Sequence, residues 1–325
     1  MRLLRCVGNN RVELVDAPDP KPAPDEALVR IEASALCGSE RQMLANGAGR
    51  SAVGNAGHEA AGIVTWVPPR ADVAVGERVG ISALRGCGSC AACAAGREMF
   101  CASGPRPQMG LHADLVAVGL TTLRRLPAGS DAEAGVLLAG DALGVPARSL
   151  RRVPSGVGDR VLVLGLGPVG LSHALVRSHV GSEVLAVEPS AYRRDLAERL
   201  GVAATFAPTE TVPLAPLVIE ATGVAAVVRS SFDRCEPGGT VLQSGECSAV
   251  EINPSANVIH KEITYVGSWF YGAEDYPSML ALVGSGLDVG RLVTHTVNAD
   301  RAQDGVDAFV SAESGKVVLR WSVPC

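Results

Sequence analysis

The sequence predicts an α/β protein in two parts, a β-rich segment followed by a doubly wound parallel sheet with helices on both faces. Three observations carry this expectation. Short β-branched and apolar runs bounded by Pro, Gly and Asp fill about the first 140 residues. From about residue 142 such runs alternate with helical stretches, the pattern of parallel strands joined by crossover helices. Between the first buried strand of that series and its helix lies the turn Gly165-Leu-Gly-Pro-Val-Gly170.

In the first part, Ala27-Leu-Val-Arg-Ile-Glu-Ala and Ala60-Ala-Gly-Ile-Val-Thr-Trp-Val read as strands, and Asp72 to Gly80 as a turn entering another. Many short strands of this kind suit a barrel or sandwich. In the second part, Arg160-Val-Leu-Val-Leu-Gly is a buried strand, Val169 to Val180 a helix, and Glu183-Val-Leu-Ala-Val-Glu the next strand. Ser190 is placed to N-cap a helix over Ala191 to Leu200 that stops at Gly201. Leu217-Val-Ile-Glu, Thr240-Val-Leu-Gln and Ile263-Thr-Tyr-Val-Gly continue the series. The tail after residue 270 reads as one helix, with Pro277 in its first turn, and a strand-like ending from Gly315 to Trp321.

A chain of 325 residues is too long for one small core and suits two domains. With 47% hydrophobic and 19% charged residues it is globular, and a net charge of −5 leaves no basic footprint for nucleic acid or an anionic membrane. The N-terminus lacks the apolar region of an export signal, and the longest apolar runs, such as Val161 to Leu164, are strand-sized. A cytoplasmic chain with no membrane partner is expected. Positive charge is almost all arginine, with lysine only at Lys21, Lys261 and Lys316.

Cys87-x2-Cys90-x2-Cys93-x7-Cys101 is the strongest local signal. Four thiolates at these spacings satisfy a tetrahedral zinc ion, and an all-cysteine set has no open position, so the zinc is structural. Gly165, Gly167 and Gly170 form a phosphate-cradling turn between strand and helix: Gly165 permits the turn, Gly167 the approach of a pyrophosphate, Gly170 close packing. Pro168 and Val169 open the helix whose N-terminus would face the phosphates. Glu188 ends the following strand, where a carboxylate accepts from a ribose diol and favours NAD; its other reading is a solvated strand-end acid. Arg193 and Arg194 read as helix-surface charges, not as partners of a 2′-phosphate. Cys37, His58 and Asp141 stand alone, and spacing does not join them.

Taken together and in this order, the motifs give a resemblance. The chain resembles the zinc-dependent medium-chain dehydrogenases/reductases, the alcohol and sorbitol dehydrogenase superfamily, over essentially its whole length. The landmarks are Cys37-Gly-Ser-Glu, Gly57-His-Glu59, the four-cysteine lobe, Gly158 to Gly170, Val218-Ile-Glu-Ala-Thr-Gly223 and Glu236-Pro-Gly-Gly239. The resemblance implies a GroES-like catalytic domain over residues 1–143, a Rossmann NAD-binding domain over 144–269, and a segment 270–325 completing the first. It implies a catalytic zinc on Cys37, His58 and Asp141, with Glu59 close behind or itself ligating, and Ser39 passing on the substrate proton. Two zinc ions per chain, NAD, a small hydroxyl or carbonyl substrate and a homodimer or homotetramer follow from it.

Two departures stand out. Gln42 occupies the place of the relay histidine that many relatives carry, so water or another group must finish the relay. Glu40 replaces the usual aspartate after the relay hydroxyl, one methylene longer, which alters support of a zinc ligand. Pocket side chains are expected around Ser39, Met43, His112 and Trp269-Phe270-Tyr271, with an open pocket between Met43 and His58. The expected reaction is hydride transfer between NAD(H) and a secondary alcohol, of a polyol, sugar, cyclitol or amino-alcohol. A dehydrogenase of apolar alcohols, with the aromatic run lining a slot, and a catalytically silent relative are the alternatives. A zinc-free NADPH reductase is disfavoured by the intact metal motifs.

Overall fold

The structure, a computed structural model, describes residues 1–47, 56–69 and 71–321. The chain divides into two compact units: Met1–Gly144 together with the chain from Phe270 onward, and Val145–Trp269.

In the first unit, Arg2–Gly8 and Arg11–Asp16 form a hairpin. Its two loop residues, Asn9 and Asn10, sit at φ 51° and 58°, the left-handed pair that matches the twist of the flanking strands. A seven-stranded sheet follows the order Val293–Asn298, Lys316–Arg320, Glu26–Leu36, Ala60–Trp66, Arg78–Ile81, Leu123–Arg125, with Leu115–Gly119 also paired to Glu26–Leu36. One cluster, including Val29, Ile31, Val79, Leu111, Phe309 and Trp321, forms the main core. A second gathers Ala33, Ala35, Ala61 and Val318 against Val136 of the helix Ala132–Ala139. Glu26–Leu36 therefore alternates in burial at first and is buried continuously from Ala33, where both faces are covered.

Two sequence expectations need correction here. The first part is not strands alone: Ala132–Ala139 is a helix, capped by the Asp131 carboxylate accepting from the Ala134 amide at 2.8 Å. The tail holds a second helix, Ala302–Val310, beyond Tyr276–Gly284, and an extra strand, Val293–Asn298. Gly305 hid that helix by its low propensity, yet a side chain there would crowd Val297 and Val317, at 3.0 and 3.1 Å. The strand was masked by its polar, half-exposed Thr-His-Thr run.

The second unit is one parallel six-stranded sheet in the order Ala204–Phe206, Glu183–Val187, Arg160–Leu164, Ala215–Glu220, Cys235–Gln243, Thr264–Gly267. Helices Pro168–His179, Ala191–Arg199 and Ala225–Arg234 connect its strands, and Ser190 caps the second of them through Arg193 N. The strand order reverses between Arg160–Leu164 and Ala215–Glu220, so the turns leaving these two strands flank the crevice where such sheets bind ligands. Among the described residues, no helix is long and apolar enough to cross a membrane.

His173, on the helix Pro168–His179, is fully buried between Ser149 Oγ at 3.2 Å and Ser244 Oγ at 3.0 Å. Burial, with Arg177 nearby, pulls its imidazole down to about 3, so the fold holds it neutral. The unfolded chain binds that proton below about 6.5 and the folded chain does not, so stability falls as pH drops below this value. His173→Gln should flatten the acid limb of a denaturation profile, recovering on the order of 1 kcal/mol between pH 6 and 5. Parallel profiles for the two proteins would contradict this.

Candidate active site

Cys37 follows the strand Glu26–Leu36, His58 and Glu59 precede Ala60–Trp66, and Asp141 opens the helix Asp141–Arg152. The fold buries all four. Donor atoms of Cys37, His58 and Glu59 lie within 4.8 Å of one another, and Asp141 Oδ2 lies 3.0 Å from His58 Nε2. The other imidazole nitrogen, Nδ1, faces Glu40 Oε1 at 3.2 Å, off the best hydrogen-bond angle.

The two neighbouring carboxylates differ in what they have left to give. Glu59 Oε1 accepts from the amides of Asp141 and Ala142, at 2.7 and 3.3 Å, and Oε2 is paired with the buried Lys316 ammonium. Asp141 Oδ1 is buried with no partner among the described residues. A thiol, an imidazole nitrogen and a carboxylate with an unused oxygen fit a zinc ion and leave its fourth position open. Burial pulls the His58 imidazole down, but Cys37, Asp141 and Glu40 hold it well above its usual range. A cation bound at Nε2 would take that proton's place. Burial likewise pushes the Glu40 carboxyl up, and His112 and His58 bring it below the carboxylate range. For Glu59 burial pushes the carboxyl up and Lys316 opposes it.

Cys87, Cys90, Cys93 and Cys101 converge with their sulfurs within 4.8 Å, none in a disulfide. The Cys87–Cys93 separation of 3.9 Å is close to the edge of a tetrahedron with metal–sulfur bonds of about 2.3 Å. Backbone amides of Ser89 and Cys90 and the Ser89 hydroxyl pull the Cys87 thiol down to about 5. Burial and the neighbouring sulfurs send Cys93 up to about 12, since four thiolates need a cation among them.

In the second unit Gly165 has φ 86°, and a Cβ on Gly170 would lie 1.9 Å from the Gly165 carbonyl oxygen. A Cβ on Gly167 would meet nothing within 4 Å, so the space beside it is open to a pyrophosphate. Pro168 and Val169 begin the helix, whose first amides have no intrahelical acceptor. Glu188 is buried, with Oε2 accepting from Leu166 N at 2.7 Å and Oε1 from Ser190 N at 3.0 Å. This is not a solvated acid: it is fixed against the glycine turn. The surface reading of the arginines is corrected too. Arg193 is buried, and Arg194 donates to the carbonyls of Glu188 and Pro189, because the cap at Ser190 turns this end of the helix back onto the strand.

Ser39 is exposed on the turn Gly38–Glu40, and among the described residues its hydroxyl has no protein partner. Gln42 is exposed, and Met43 packs against the core. His112 and Tyr271 are both almost fully buried. His112 is buried against Glu40 and Ser34, and Tyr271 is buried with its hydroxyl on the Ala139 carbonyl. Phe270 stands edge-on to the His58 ring, centroids 6.4 Å apart, and Trp269 donates to Glu246. The expected open pocket between Met43 and His58 falls largely on residues 48–55, outside the described residues. Sequence reasoning missed Lys316, whose signal was a rare lysine heading an apolar strand.

Residues 23–128 match the family described as alcohol dehydrogenase GroES-like domain, and residues 168–285 the family described as zinc-binding dehydrogenase. L-threonine 3-dehydrogenase of Coxiella burnetii (strain Dugway 5J108-111) is 30% identical, covering 94% of both chains. A probable D-xylulose reductase A of Neosartorya fischeri is 29% identical over 95% of this chain and 92% of that one. The alcohol dehydrogenase of Thermus sp. ATN1 superposes with a TM-score of 0.85 at 26% identity, over 99% of this chain and 100% of that one.

Lys316→Met would leave Glu59 buried beside Asp141 without a counter-charge. It should cost about 3 kcal/mol in chemical denaturation, and adding Glu59→Gln should restore more than half. Simply additive losses would show that the pair is not coupled.

Proposed function

The chain belongs to the zinc-dependent medium-chain dehydrogenases/reductases, and we propose that it oxidises a secondary hydroxyl of a polyol, sugar, cyclitol or amino-alcohol, or reduces the matching ketone, with NAD(H). The observation that carries the reading is the buried, unpartnered Asp141 Oδ1 of the carboxylate that faces His58, itself close to Cys37. A hard carboxylate oxygen leaves more positive charge on zinc than a second thiolate would, which suits hydroxyl-rich substrates. The threonine and xylulose enzymes among the relatives are named for substrates of this kind.

Zinc, when bound, supplies a Lewis acid that makes a hydroxyl proton easy to lose, and NAD supplies the hydride acceptor. Cys37, His58 and Asp141 hold that ion, while Cys87, Cys90, Cys93 and Cys101 hold a second one that shapes the lobe. Ser39 Oγ, exposed two residues after Cys37, takes the substrate's hydroxyl proton and gives it to water, because Gln42 cannot titrate. Glu59 keeps Asp141 in place through its backbone amide. Glu188 accepts from the ribose diol while the glycine turn and helix N-terminus hold the pyrophosphate. In this reading residues 1–143 and 270–325 carry the metals and residues 144–269 the cofactor. The open outer edge of Thr264–Gly267 is the natural surface for a homodimer or homotetramer in the cytoplasm.

Wild type should contain two zinc equivalents and Asp141→Ala one, with the variant folded but inactive. Polyols and amino-alcohols should give higher kcat/KM than matched alkanols; the reverse order would refute the substrate class and leave the zinc chemistry standing.

Cofactor choice has its own test. Glu188→Ala should narrow the preference for NAD over NADP about tenfold, in line with one charged hydrogen bond of roughly 1.5–3 kcal/mol. A wild type that prefers NADP would overturn the role given to Glu188.

A further inference from the structure

Resting on the zinc reading above, we infer that His112 is a positioning residue for the metal ligand His58, acting through Glu40. His112 is 1% exposed and lies directly beneath the segment that carries His58. Its amide donates to the Ala56 carbonyl at 3.2 Å, and the Leu111 amide to the Gly57 carbonyl at 3.1 Å. Gly57 has φ 99°, and a Cβ there would stand 2.7 Å from His112 N and 2.8 Å from its Cγ. The residue before His58 thus lacks a side chain where the His112 ring sits.

Hydrogen-bond polarity fixes what that ring does. The Trp321 indole can only donate, and it donates to Ser34 Oγ at 2.9 Å. Ser34 is fully buried, and its own hydroxyl hydrogen has His112 Nδ1, 2.8 Å away, as its acceptor. Glu40 Oε2, 3.2 Å from His112 Nε2, can only accept, so Nε2 carries a proton and donates it there, and Nδ1 of the neutral ring accepts from Ser34. The other oxygen, Oε1, faces His58 Nδ1 at 3.2 Å, off the best hydrogen-bond angle, and a carboxylate so placed favours a proton on that nitrogen. The chain from Trp321 through Ser34, His112 and Glu40 holds a carboxylate against His58 Nδ1; with a metal at Nε2 in place of the proton facing Asp141, the proton that a neutral His58 keeps is the one on Nδ1. Glutamate has one more rotatable bond than aspartate, and the second histidine is what holds it.

Two variants separate positioning from packing. Gln at 112 places an amide donor near the Nε2 position and still reaches Glu40; Asn places its amide near Nδ1 and does not. Zinc partitioning between the purified protein and a competing chelator reads the outcome, with Asp141→Ala identifying the share held by the four-cysteine lobe. His112→Asn should hold the non-lobe zinc about tenfold more weakly than wild type, the low end for losing a ligand's hydrogen-bond partner, and His112→Gln within threefold. If the asparagine chain fails to fold, Ser34→Ala, which removes the donor to Nδ1, should weaken zinc in the same direction. Equal zinc retention in both substituted proteins, or equal losses tracking a common fall in Tm, would overturn the role. A wild type that holds only the lobe zinc would instead remove the metal reading, and this inference with it.

Discussion

One buried carboxylate ties the first unit together at its centre. Glu59 cannot reach water, so its charge must be met by the protein, and two chain segments meet it. The amides opening the helix Asp141–Arg152 meet Oε1, with the positive end of that helix behind them, and Lys316 meets Oε2 from the strand Lys316–Arg320, which Glu26–Leu36 separates from Ala60–Trp66. The same bond that satisfies Glu59 fixes the backbone of Asp141, and so carries the Asp141 side chain to His58. Residues 59, 141 and 316 are far apart in sequence, and the metal donors converge because this charge requires them to.

The legibility of the chain followed the locality of each constraint. The four-cysteine lobe and the glycine turn are each made by one short segment, so spacing alone described them. The parallel sheet was readable because strands buried on both faces are nearly continuous apolar runs, as in Arg160–Leu164. The metal set of Cys37, His58 and Asp141 has no local signature and came only through resemblance. Ala132–Ala139 escaped because the residues its Val136 packs against, Ala33, Ala35, Ala61 and Val318, lie in strands remote from it in sequence. Lys316, His112 and Ser34 act on groups remote in sequence, and a lone lysine or histidine carries no mark of its partner. The arginines after Ser190 were misread for a related reason: helix periodicity does not show where a helix end folds back onto a strand.

The aromatic run Trp269-Phe270-Tyr271 shows how three adjacent residues of one type divide their tasks. Tyr271 is structural, with its hydroxyl on the Ala139 carbonyl and its ring in the space left by the missing side chain of Gly144. Phe270 is held at φ 47°, a left-handed conformation that a bulky residue adopts only when its surroundings impose it, and its edge meets the His58 ring. Anchoring Tyr271 thereby sets the place of Phe270. Within the first unit, Phe270 thus offers one ring edge to His58 while Tyr271 is spent on structure.

The charge balance of the first unit's centre explains why a dication suits it. Four acidic groups, Cys37, Glu40, Glu59 and Asp141, are buried there against the single ammonium of Lys316. Coulomb repulsion among such groups is weakly screened in the interior, so a further positive charge placed among them is favoured. A proton on His58 supplies one such charge, which is why the surrounding acids hold that imidazole well above its usual range. A zinc ion supplies two and frees the imidazole to act as a neutral donor. Lys316 pairs directly with Glu59, which leaves the unused oxygen of Asp141 for a cation to answer. Electrostatics alone would then make metal binding and deprotonation of His58 a single event.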